Sequence, residues 1–362
     1  MFVVIFVSFL ALLFAIFDSL RSLKGGLKTA FIIITILSCL RYDFGNDYLG
    51  YMKEFNEMFS YSPDAIMNYD GFKDKGWFII QHYLYPIGWF LFAGIISVFC
   101  NVTYYKLIKR YVPRKDYWLS FFIYVFTFDM FVLQQSMVRQ GLAIAIIVWA
   151  FMLLDKPKHN IGSILKILLI TGLAVSIHKS AAFTVPFMLL RIIPPKWNKI
   201  TAIVLMGCFF ALFFVKTFLA GAMVNIMMLD AFSSFDYYSD EEGADIGIRA
   251  LLECIPFFVS ALYIYRNGEN TNGRFIVIAS MCATMILPLT TIVHLVSRVA
   301  MYFSILFIVS VPLTYRSIRI PAFRVCLLAL LMAIQLYVYV DRFNSPTYKK
   351  SFQEYHTILS AF

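Results

Sequence analysis

Ionisable side chains are scarce in this sequence, and several of them gather at the ends of apolar segments. Arg41, Asp43 and Asp47 follow the second such segment in "RYDFGND". Arg139 and Gln140 open the fifth. His178, Lys179 and Ser180 stand between the sixth and seventh, Arg249 opens the ninth, and His294 and Arg298 lie between the tenth and eleventh. His294, Arg298 and Tyr302 recur at four-residue spacing, which puts them on one face of a helix. Guanidinium forks match phosphate oxygens bidentately. A nearby carboxylate or imidazole can take a proton from a hydroxyl. Arg41, Arg139, Arg249 and Arg298 therefore suit a phosphate or diphosphate group, with Gln140, Lys179, His294 and Tyr302 as further contacts and His178, Asp43 and Asp47 as candidate bases.

Each residue has a plainer reading as well. Arg41 and Arg139 can snorkel to lipid phosphate. Asp43 can serve a turn beside Gly45, and Asp47 can cap the following helix. His178 can be a buried histidine bonded to a carbonyl. Arg249 and Glu253 are spaced as an intrahelical ion pair. Asp18 and Asp129 read as local pairs or rim residues. No HExxH, DxD, P-loop, EF-hand or GxSxG pattern is present, so no metal site, cofactor or serine nucleophile is expected. A metal-free transfer with a good leaving group fits this set, because arginines stabilise charge developing on a departing diphosphate.

What must position these residues is a membrane protein. The 362 residues are 61% hydrophobic and 14% charged, with a mean hydropathy of +0.76. A soluble domain carries about one quarter charged residues. The hydrophobic runs are helix-length, not the alternating pattern of a membrane barrel. At roughly 20 apolar residues per crossing, the runs are 2–20, 28–40, 76–105, 117–133, 140–154, 161–177, 180–193, 199–216, 249–265, 275–291, 298–314 and 322–340. The third is long enough to break at Pro86. The first lacks a basic start and a small-residue cleavage site, so it reads as a retained span, not a signal peptide. The six cysteines lie in or beside apolar runs and read as packing residues.

The net charge of +10 is explained by where the 31 Lys and Arg fall, without a nucleic-acid partner. Alternate short connections hold Arg21, Lys24 and Lys28; Lys106 to Lys115; Lys156 and Lys158; Arg191, Lys196 and Lys199; Arg266 and Arg274; Arg316, Arg319 and Arg324. Only Asp116, Asp155 and Glu269 oppose them. The positive-inside rule then puts both termini and the long loops, 41–75 and 217–248, on the side away from the cytoplasm. The chain reads as one polytopic domain, residues 1–362, with every polar cluster above on that side. In the first loop Tyr48, Tyr51, Met52, Phe55 and Phe59 share a face at helical spacing, as in an interfacial helix.

Three segments carry a resemblance. "RYDFGNDYLGYMKEF" (41–55), "MVRQGLAIAI" (137–146) and "AVSIHKSAAF" (174–183) resemble, in order, signatures of the EpsG family of polysaccharide biosynthesis proteins, the Wzy-type polymerases. Ahead of the third run that family leads one to expect a Glu two residues before a Gly; here "FKDKGW" has Asp74 in its place. The resemblance implies a multi-pass protein of the bacterial inner membrane, about 12 spans in a GT-C-like glycosyltransferase architecture, active at the periplasmic face. It implies donor and acceptor oligosaccharides linked to undecaprenyl diphosphate, joined into capsule, exopolysaccharide or O-antigen. Flippase and chain-length-regulating proteins would be its partners beside membrane lipid. A lipid-linked oligosaccharide flippase and a glycan ligase are the alternatives; a flippase would show charges along a central path and two related halves.

Overall fold

A chain this apolar must satisfy its backbone hydrogen bonds internally, and it does so with helices. The computed structural model describes residues 1–69, 71–156, 160–227, 247–266, 273–290 and 296–361. The helices are α1 Phe2–Ser19, α2 Gly26–Leu40, α3 Tyr48–Glu57, α4 Pro63–Asn68, α5 Lys75–Leu84, α6 Trp89–Tyr111, α7 Tyr117–Phe126, α8 Phe128–Ser136 and α9 Val138–Leu154. They continue with α10 Ile161–Ile177, α11 Val185–Met188, α12 Asn198–Met227, α13 Gly247–Arg266, α14 Arg274–Thr290, α15 Val296–Ser304, α16 Phe307–Thr314, α17 Pro321–Asn344 and α18 Pro346–Phe352. Strands β1 Arg41–Tyr42 and β2 His356–Thr357 form an antiparallel pair.

The protein is an all-α membrane protein. Among the described residues four helical stretches are long and apolar enough to cross a bilayer, and six if two bent pairs each count as one. One bent pair is Arg114–Phe126 with Phe128–Ser136, at 47°. The bend falls at Thr127, whose extended backbone interrupts the helix. The other is Val296–Ser304 with Phe307–Ser317, at 53°. The expected break at Pro86 is present: Tyr85–Ile87 is a 3-10 turn and Gly88, at φ +77°, is the N-cap of α6.

One expectation needs correction. Residues 180–193 form no single span; they are 3-10 turns, Lys179–Thr184 and Leu189–Ile192, around the four-residue α11. Apolar composition alone suggested a helix there, but Pro186 removes an amide donor from the middle of the run. Helix α12 continues to Met227, into the second long loop. The acidic stretch of that loop and His294 lie outside the described residues.

The chain divides into two compact units. The first comprises residues 1–153, 158–182 and 335–362. Its helix α9 is buried along nearly its whole length, from Val138 to Met152, as befits a helix apolar all round. One end of this unit is tied together by the chain termini. β1 pairs with β2, Met1 N donates to Phe352 O at 3.1 Å, and Gly45 N donates to Ser351 O at 2.9 Å. At the other end of α1, Asp18 pairs with Arg114 at 2.7 Å and accepts the Leu27 N–H at 2.9 Å. Asp18 is thus paired, but with an arginine 96 residues away in sequence. The second unit, residues 154–157 and 183–334, packs around Phe209, Phe257, Ala261, Val277 and Met281.

Candidate functional site

Asp74 occupies the N-cap position of α5 and is 8% exposed. Its two oxygens serve two other segments. Oδ2 lies 3.1 Å from Arg139 Nη1, on the first turn of α9. Oδ1 accepts the backbone N–H of Lys179 at 3.0 Å, just past the end of α10. The carboxylate therefore joins three stretches that are far apart in sequence. Burial pushes the Asp74 carboxyl above the ordinary aspartate range, while Arg139 and the Lys179 N–H pull it back in part.

Close packing of α5 against α10 makes this junction possible. A Cβ on Gly76 would lie 2.9 Å from the carbonyl carbon of Ser176, so only glycine lets the helices meet there. His178 ends α10 with extended backbone and is 6% exposed. Its Nδ1 is 2.6 Å from Ser180 Oγ. If Nδ1 donates that bond, Nε2 carries the lone pair a base requires.

The amphipathic helix expected at 48–59 is α3, and it forms the next wall. The Tyr51 ring lies 5.9 Å from the Arg139 guanidinium carbon, within cation–π range. Tyr51 meets the Trp77 ring edge-on at 5.7 Å. Glu54 Oε1 accepts from Trp77 Nε1 at 2.7 Å and from Gln81 Nε2 at 2.8 Å. At the start of α3, the Asp47 N–H donates to Ser136 Oγ at 3.0 Å, which brings the first polar loop to the α8–α9 corner.

The structure thus brings Arg139, His178, Lys179 and Ser180 together around Asp74. Asp43 and Asp47 are exposed, Asp43 with φ +47°. Gln140, one residue past Arg139, is buried at 1% exposure in α9. Arg41 is 3% exposed, and its guanidinium is directed into the protein. Nε donates to Gln135 O at 3.2 Å, and Nη1 donates to Ser38 O and to Ser97 Oγ. In the second unit Arg298 is half-buried and Tyr302 fully buried, both on α15. Arg249 is placed on α13, with its side chain outside the described set.

Asp74, Tyr51 and Glu54 were not singled out as site residues from sequence. The acid before Gly76 carried the signal for Asp74, which had been noted only as a departure from a pattern.

No curated protein and no solved structure matches the chain. The EpsG family matches over residues 27–357, from the first turn of α2 to β2, and so takes in all the segments that converge on Asp74. The chain belongs to the EpsG family.

Proposed function

We propose that the protein polymerises oligosaccharide repeat units linked to undecaprenyl diphosphate, by glycosyl transfer at the periplasmic face of the bacterial inner membrane. The observation that carries this reading is the Asp74 junction. One buried carboxylate holds Arg139 and the Lys179 backbone beside the His178–Ser180 pair. The guanidinium of Arg139 and the ammonium of Lys179 are the groups suited to a diphosphate.

In the proposed step a sugar hydroxyl of the acceptor unit attacks the anomeric carbon of the donor glycan. The new C–O bond forms as the bond to the diphosphate oxygen breaks, and undecaprenyl diphosphate departs with the electron pair. His178 Nε2 takes the hydroxyl proton, with Nδ1 donating to Ser180. Arg139 and Lys179 stabilise the diphosphate. Asp74 is a positioning residue that fixes Arg139. Both termini on the periplasmic side complete the reading. It is supported by the strand pair and the Met1–Phe352 contact, which tie both termini to the first polar loop.

Full-length protein in nanodiscs, given synthetic undecaprenyl-diphosphate repeat units, should build a ladder of glycans. An unextended substrate would sink the proposal, and transbilayer movement without extension would favour a flippase. For orientation, Glu57→Cys should react with an impermeant maleimide added outside, and Lys24→Cys only after lysis.

A further inference from the structure

Arg41 has a second consequence, independent of the glycan reading. It is 3% exposed, and among the described residues no carboxylate forms an ion pair with it. A guanidinium cannot shed its proton to escape burial, and an uncompensated buried charge is strongly unfavourable. Three of its N–H groups are committed to Gln135 O, Ser38 O and Ser97 Oγ. Nη2 makes no hydrogen bond among the described residues.

Arg41 lines a cavity of about 30 Å³ among α2, α6, α7, α8 and α9. Gln135 lines it too, is 5% exposed, and has no partner at either Nε2 or Oε1. The neighbouring polar groups are occupied with one another. Tyr124 donates to Asn101 Oδ1 at 2.9 Å, Asn101 Nδ2 to Ser97 O at 3.0 Å, and Ser97 Oγ to Ala93 O at 2.9 Å. What remains is rich in donors: the N–H groups of Arg41 Nη2 and of Gln135 Nε2, against the single acceptor Gln135 Oε1. The volume suits one or two water-sized occupants, which excludes phosphate and sulfate.

We propose that this cavity, walled by Arg41 and Gln135, binds one small monovalent anion of the halide class, chloride in the cell. The anion neutralises Arg41 and locks the end of α2 to the α8–α9 corner. Purified full-length protein is unfolded thermally at constant ionic strength while gluconate is replaced by chloride, bromide or sulfate. The midpoint should rise and saturate with chloride and bromide and stay level with sulfate. Gln135→Glu supplies the negative charge from within and should make the midpoint indifferent to halide. In bromide-soaked crystals of the wild type, an anomalous peak should stand against Arg41, which reads the site whether or not the variant folds. A wild-type midpoint equal in chloride and gluconate, the same halide titration in Gln135→Glu, or no bromide peak overturns the proposal.

Discussion

Asp74 Oδ2 lies 3.1 Å from Arg139 Nη1 while its other oxygen holds the Lys179 N–H at 3.0 Å. A single side chain thus sets both the direction of an arginine and the exit of a helix. Asp74→Asn keeps an acceptor for Lys179 but removes the charge facing Arg139. Turnover should fall by about 10- to 100-fold, the usual cost of a displaced positioning contact. The double variant Asp74→Asn with Arg139→Gln should be no worse than Arg139→Gln alone, because the first residue acts through the second. Additive losses in a ladder assay of the four proteins would show that Asp74 has a separate role.

The raised Asp74 pKa has a determined sign. A carboxyl whose folded pKa exceeds its unfolded value binds its proton more tightly in the native state. Its stabilising contribution is complete below the ordinary value near 3.8 and is lost as pH rises through the raised folded value. Activity follows the opposite course, since only the ionised carboxyl pairs with Arg139. The acid limb of the pH–rate profile should therefore lie above the ordinary aspartate range. In Asp74→Asn that limb should vanish, together with the matching slope in unfolding midpoint against pH. An unchanged acid limb in the variant would assign it to another group.

The hydrogen bond between His178 Nδ1 and Ser180 Oγ, 2.6 Å long, makes a further prediction. Loss of a general base costs about 10²- to 10⁴-fold, so His178→Gln should nearly abolish laddering with protein levels unchanged. Ser180→Ala keeps the imidazole but no longer fixes its tautomer. It should lower kcat less than His178→Gln does, without raising KM. A KM effect alone would mean that Ser180 only shapes the pocket.

Local pattern carried much of the fold. The run 161–177 coincides with α10, and the break at Pro86 is where proline and glycine chemistry put it. The bend at Thr127 was not legible, because one extended residue inside an apolar run leaves no mark in hydropathy. Residues 180–193 failed for a related reason: composition reports burial and does not report regularity. In the site, Arg139 and His178 were found from charge at span ends. Asp74 was not, because its worth lies in two partners distant in sequence. Arg41 was read as a headgroup ligand from the same signal as Arg139. Only tertiary packing, which directs its guanidinium to Gln135 and Ser97, separates the two.

Gly76 tests whether the α5–α10 contact itself holds the site in shape. An added Cβ would meet the Ser176 carbonyl carbon at 2.9 Å, and a backbone atom cannot swing aside as a side chain can. Gly76→Ala should therefore part the two helices and stretch the bond from the Lys179 N–H to Asp74, three residues beyond Ser176. Overpacking of this kind costs about 1–3 kcal/mol, visible as a lower unfolding midpoint in detergent. Turnover should drop as far as in Asp74→Asn, although Asp74 and Arg139 are both intact. Adding Ser176→Ala removes the hydroxyl and leaves the backbone obstacle, so it should restore little. Full recovery in that double variant would place the conflict on the side chain and remove the case for a glycine-dependent helix contact.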